Sequence, residues 1–165
     1  MVPAAVRGDG LSGRVHQISI SPGGVPKLAV PEAWVSSMGL AGDGHNDSDH
    51  HGGPDRAVCL FSLELIEALQ AEGHPIFAGA TGENLTLTGV DWPEMVPGSR
   101  WNVGSEIDLE VTSYTTPCLH QVDWFLNGDY GRINQKLRPG WSRVYARVLS
   151  EGQVRVGDLV ERASP

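Results

Sequence analysis

Cys118 has the widest chemical range of any side chain in this sequence, and it closes the run Thr115-Thr116-Pro117-Cys118. As a thiolate, a cysteine can ligate a soft metal, carry sulfur as a persulfide or act as a nucleophile. Pro117 fixes its own φ and stiffens the approach to the thiol. The plain alternative is a buried, inert cysteine, the usual fate of the residue type. Cys59, between Val58 and Leu60 in an apolar run, reads as that inert kind. The polar neighbours of Cys118 leave both readings open.

Three other segments carry chemistry-bearing residues. His45, Asp47, Asp49 and His50 lie within a few positions of one another and could hold a divalent metal. Their spacing fits no metal motif with a mechanical basis, and a solvated polar loop is the preferred reading. His51-Gly52-Gly53 precedes an apolar run; paired glycines let the backbone approach a ligand, and their N–H groups can form an anion nest to which Arg56 adds donors. In Gly82-Glu83-Asn84 an acceptor and an amide precede an alternating segment. They suit the patterned edge of a heterocycle, or they simply hold the loop.

The charge distribution points to an anion. The chain has 12 Lys plus Arg against 20 Asp plus Glu, a net −8. That balance argues against a nucleic-acid binder and against an anionic membrane surface. Yet Tyr130 to Ser150 contains Arg132, Lys136, Arg138, Arg143 and Arg147 and no acid. Arg143 and Arg147 lie on alternating sequence, so both side chains are expected on one strand face. A solvated arginine face is the plain reading of any single member of the set.

The elements that must position these groups are mostly short strands. Arg14 to Ile20, Ala57 to Phe61, Leu85 to Thr88, Ile107 to Thr112, Val144 to Val148, Gln153 to Val156 and Leu159-Val160 read as strands, several with clear period-two alternation. Ser62 caps a helix with Leu63, Ile66 and Leu69 on one face, ending at Gly73. Further helices are expected over Gln121 to Leu126 and Pro31 to Met38. The 21 glycines imply many turns. Together these features predict a mainly β fold, a closed or nearly closed β-barrel with a few peripheral helices. The length suits one domain, expected over residues 13–162 after a flexible tail at 1–12. The longest apolar run is five residues, Ala57 to Phe61, too short for a membrane helix. The start of the chain does not read as a signal peptide, so a cytoplasmic location with reduced cysteines is expected.

Gly39-Leu40-Ala41-Gly42-Asp43, His50 to Val58, Gly82-Glu83-Asn84-Leu85-Thr86 and Pro117-Cys118 occur in an order and spacing that resembles the MOSC domain, the module named for the C-terminal part of molybdenum-cofactor sulfurases. Gly23 to Lys27, Ala146 to Leu149 and Gly157-Asp158 resemble it too. The resemblance implies a barrel of the pyruvate-kinase β-barrel-like type. It also implies that Cys118 either ligates molybdenum or carries a persulfide. The molybdenum cofactor (molybdopterin) is a phosphate-bearing pterin dithiolene, for which His51, Gly52, Gly53, Arg56, Glu83, Asn84, Arg143 and Arg147 are candidate contacts. The resemblance favours a reductase of N-hydroxylated or N-oxygenated small molecules, with a persulfide carrier or sulfurtransferase second and a non-catalytic ligand- or zinc-binding module third. No pyridoxal-phosphate desulfurase domain accompanies it in this sequence, so electrons or sulfur must come from a separate donor protein. Substrate identity and oligomeric state are not readable.

Overall fold

A computed structural model describes residues 13–44 and 53–164. Seven strands close into a barrel: β1 (Gly13–Ile20), β5 (Val58–Ser62), β6 (Leu85–Thr88), β7 (Arg100–Val103), β8 (Ile107–Tyr114), β9 (Val144–Ser150) and β11 (Leu159–Arg162). The order runs β11-β7-β8-β9-β5-β6-β1, and β1 pairs back onto β11. Closure removes the free edges that an open sheet would expose. The short strand β2 (Leu28–Val30) adds to β1 beyond the closing pair. A separate three-stranded sheet has the order β10 (Gly152–Arg155), β3 (Glu32–Ser36), β4 (Gly39–Leu40).

Alternation sets the inside. Ile107, Leu109 and Val111 of β8 and Val144 and Ala146 of β9 are buried in the barrel core with Phe61, Leu85 and Leu87. In β1 the parity changes at a bulge between Val15 and Gln17, so Val15 points inward before it and Ile18 after it. A second irregularity, between Val111 and Ser113, bends the end of β8 just before the segment that carries Cys118. β5 is buried at all five positions because it lies between β6 and β9.

The link from β5 to its parallel partner β6 contains the one α-helix among the described residues, α1 (Leu63–Ala71). Ser62 Oγ accepts the Leu65 N–H at 3.2 Å, the expected cap. The buried face is Leu65, Ile66 and Leu69, rotated slightly from the expected one, with Leu63 only half-buried.

Two expected helices are corrected. Within residues 31–38 lies strand β3 (Glu32–Ser36), because Ala33 and Val35 alternate inward against β10, and that pairing satisfies a backbone which eight residues of weak helical pattern do not. Residues 121–126 fall mostly within a 3-10 turn, Leu119–Trp124, whose end at Phe125 has extended backbone. β2 and β4, three and two residues long, are too short to show a period, while β7, where Trp101 and Val103 alternate inward, was not read as a strand.

Candidate functional site

Loops from distant parts of the chain meet where β8 ends and β6 and β9 begin. They enclose two adjoining cavities. The outer one, about 640 Å³, is walled by Ser113, Tyr114, Thr116, Pro117, Cys118 and Tyr130, among others. The inner one, about 60 Å³, is lined by Lys27, Cys59, Thr81, Asn84, Gln121 and Arg143 with glycine backbone at 24, 44 and 82. Arg56, His120 and Tyr145 line both.

Cys118 sits half-buried in the outer wall. Its backbone N–H donates to Gln121 Oε1 at 2.7 Å, and Gln121 Nε2 donates to the Thr81 carbonyl at 3.3 Å. The same carbonyl accepts Arg143 Nη1 at 2.6 Å. Gln121 therefore ties the cysteine loop to the wall of the inner cavity. Thr81 turns back there through Gly79 and Gly82, both at positive φ. A Cβ on Gly79 would come within 2.5 Å of the Lys27 carbonyl, so the close approach of these loops requires glycine.

Arg143 is the most deeply buried of the three cations that line the inner cavity, with Lys27 and Arg56. It is 4% exposed, and its Nε has no hydrogen-bond partner among the described residues. A buried guanidinium with an unmet N–H, in a residue that lines a cavity, suits an anion. A single water takes on the order of 10–15 Å³ of such space, so the cavity can admit a group of phosphate size.

Asn84 holds the loop. Its Oδ1 accepts the Cys59 N–H at 3.0 Å, and its Nδ2 donates to Asp43 Oδ2 at 2.9 Å and to the Ser19 carbonyl at 3.3 Å. Glu83 is fully buried and accepts the Thr81 and Thr86 hydroxyls at 3.2 and 3.4 Å. Burial pushes its carboxyl above the usual range, against the pull of backbone N–H groups and Arg143.

Of the five cations between Tyr130 and Ser150, only Arg143 lines the cavities. Arg132 is committed to Glu72 by two bonds of 2.9 and 2.6 Å and stacks 3.8 Å from the Trp141 ring centre. Arg147 does share the outward face of β9 with Tyr145, as alternation requires, but it stands four residues from Arg143, about 13 Å along the strand. It lies outside both cavities, 3.8 Å from Asp55 and 3.9 Å from Glu110. Lys136 and Arg138 are exposed. The idea of five cations facing one anion therefore reduces to Arg143, since strand parity gives the face and not the height.

Arg56 lies 5.9 Å from the centre of the Tyr145 ring, in the wall shared by the cavities. Gly53 begins the turn Pro54–Arg56 at φ +82° with open space where a Cβ would be. His51, Gly52 and the His45/Asp47/Asp49/His50 group lie outside the described residues. Among the described residues no group of three His, Cys, Asp or Glu side chains could hold a metal, and no helix is long and apolar enough to cross a membrane.

Several wall residues escaped sequence reasoning, His120, Tyr114 and Tyr130 among them. Thr81 and Gln121 carry no chemical signature. Tyr145 alternates with Val144 and Ala146, which marks it as outward-facing but not as a cavity wall; burial pushes its phenol up to about 12. Lys27 could be found only as part of a glycine-rich pattern. Cys59 is buried as expected, and burial pushes its thiol up to about 11, yet it lines the inner cavity.

The comparisons agree with this architecture. YflK of Bacillus subtilis is 31% identical over 124 residues, covering 74% of this chain and 55% of its own length. YiiM of Escherichia coli is 28% identical over 152 residues, covering 87% of this chain and 66% of its own. The chain thus spans under two thirds of both relatives. The crystal structure of YiiM from Geobacillus stearothermophilus matches with a TM-score of 0.71 at 22% identity, covering 92% of this chain and 75% of that one. The YUAD protein of Bacillus subtilis gives 0.70 at 18%, covering 94% and 98%. At those identities the structures speak for the fold. The MOSC domain model matches residues 47–161, more than half of the sequence, and on that match the chain belongs to the MOSC domain family.

Proposed function

We propose that this protein is a molybdenum-cofactor-binding oxidoreductase that reduces N-hydroxylated or N-oxygenated small molecules, with Cys118 as the metal ligand. The observation that carries the reading is the adjacency of two unlike cavities, a roomy one bearing a half-buried thiol and a small one bearing a buried guanidinium with an unpartnered N–H. The donor set fits the group chemically. A thiolate is a soft ligand suited to a sulfur-bound metal, and Arg143 suits a phosphate. Arg56 stands where it can add charge.

When bound, the group supplies a redox-active metal centre able to exchange an oxygen atom with a substrate. The chain's own residues do the rest. Gln121 fixes the backbone of Cys118 and so the direction from which the thiolate is offered. Asn84 and Glu83 keep the loop between Gly79 and β6 in place. Tyr114, Tyr130 and Tyr145 wall the outer cavity and limit water around the reacting atoms. The electrons come from a separate donor protein.

The test is elemental analysis after expression in a host that makes the cofactor. Near-stoichiometric molybdenum in the wild type and its loss in Cys118→Ser are expected. No molybdenum in the wild type would sink the reading. A single added sulfur on Cys118 after incubation with a desulfurase, in metal-free protein, would instead establish the persulfide carrier.

A further inference from the structure

Lys27 and Asp43 form a buried ion pair, with Nζ 2.6 Å from Oδ1 and side chains 8% and 2% exposed. Asp43 Oδ1 also accepts the Ser21 N–H at 3.0 Å, and Oδ2 accepts Asn84 Nδ2 at 2.9 Å. The carboxylate is thus well supplied with donors. It stands behind Lys27, which lines the inner cavity; Asp43 itself does not, although the adjacent Gly44 does. A buried ion pair is poor value for stability, because desolvation offsets most of the attraction and apolar side chains of similar volume often serve as well. Its position beside the cavity suggests another use. Uncompensated, Lys27 would add a third positive charge to those of Arg143 and Arg56 in the cavity wall, and Asp43 cancels it. Among the described residues Arg143 makes no such ion pair: its hydrogen bond goes to a neutral carbonyl, and the buried Glu83 carboxyl only feels its field.

We propose that Asp43 is a positioning residue that sets the charge of the inner cavity: it pins Lys27 in the wall while neutralising it, so an entering anion meets the field of Arg143 and Arg56 without that of a third cation. This rests on the reading of that cavity as an anion site. The pair provides hydrogen-bond donors in a fixed place without the tighter, slower-release binding that a further bare cation in a low-dielectric pocket would give.

The experiment is calorimetric titration of cofactor-free protein with inorganic phosphate, using wild type, Asp43→Asn, Lys27→Met and the double variant. The pair contributes no net charge in the wild type or the double variant, one positive charge in Asp43→Asn and one negative charge in Lys27→Met. Asp43→Asn is expected to bind phosphate about tenfold more tightly and Lys27→Met about tenfold more weakly, with the double variant within about threefold of wild type. Asp43→Asn sets an amide against the Asn84 amide and will lower stability, so tighter binding by a less stable protein is the signature that a merely structural role does not produce. If Lys27→Met fails to fold, Asp43→Asn against the double variant carries the comparison. Phosphate binding no tighter in Asp43→Asn than in wild type, or absent in all four, overturns the proposal. Molybdenum analysis on the Cys118 series is independent of this ordering, so either reading can fail while the other stands.

Discussion

Replacing Arg143 by Met should abolish anion binding in the inner cavity and leave the stability of the cofactor-free protein almost unchanged. The structure supplies both halves of that expectation. Arg143 gives one charge-assisted hydrogen bond, Nη1 to the Thr81 carbonyl at 2.6 Å, a contact worth roughly 1.5–3 kcal/mol. Against this stand the desolvation of a guanidinium that is 4% exposed and the unmet Nε donor, which costs about 1–3 kcal/mol by itself. Methionine restores apolar packing and removes a buried charge whose desolvation a single hydrogen bond offsets only in part. Part of the gain is offset because the field of Arg143 lowers the Glu83 carboxyl, which rises further without it. The net falls within about 1 kcal/mol of zero, or roughly 2–4 °C in Tm for a chain of this size. Urea unfolding of cofactor-free protein measures the first half, and phosphate titration and molybdenum content measure the second. A loss above about 3 kcal/mol would mean that Arg143 is a structural keystone. Undiminished phosphate binding would mean that the inner cavity does not use it.

Arg132 beside Glu72, chiefly through their hydrogen bonds, holds the Glu72 carboxyl below the usual range, with His74 assisting. A depressed folded-state value gives stability that is present above the unfolded value and lost as pH falls through the folded one. Urea midpoints of the wild type should therefore drop below about pH 4.5 more steeply than those of Glu72→Gln, which should already be weaker at pH 7 because it leaves Arg132 buried and unpaired; parallel pH profiles would refute the assignment. Alkylation at pH 8 followed by peptide mass mapping should label Cys118 first, because a thiol pushed up to about 11 leaves only about a thousandth of Cys59 as thiolate; equal rates would contradict that burial effect. Gly79→Ala should destabilise by more than about 2 kcal/mol in thermal unfolding, since its Cβ meets a backbone carbonyl at positive φ; a neutral effect would show that the loop yields.

Legibility in the sequence followed the range of the interaction involved. The strands that alternate, β8 and β9 above all, were readable because side-chain direction repeats every two residues. Ser62 was readable as a cap because a helix N-terminus needs a local acceptor. β3 was misread because Ala33, Trp34, Val35 and Met38 in an eight-residue stretch fit either period, and its partner β10 lies more than a hundred residues away. Cys118 stood out by its polar neighbours and position in the chain, while Gln121, which holds it, looked like any turn residue.

Taken by itself, the sequence determined the β-rich class, the order of the loops that resemble a MOSC domain, and Cys118 as the thiol to test. Those properties reside in local periodicity and in motif order, which a linear chain carries openly. Only the tertiary structure decided which cations face the cavities. Arg132 is claimed by Glu72, sixty positions away, and Arg147 is removed by its height on β9. It also decided that Cys59 lines the inner cavity and that Lys27 there is neutralised by Asp43. Ion pairing and burial depend on which distant segments closure of the barrel brings together, and no residue's own neighbours along the chain record that.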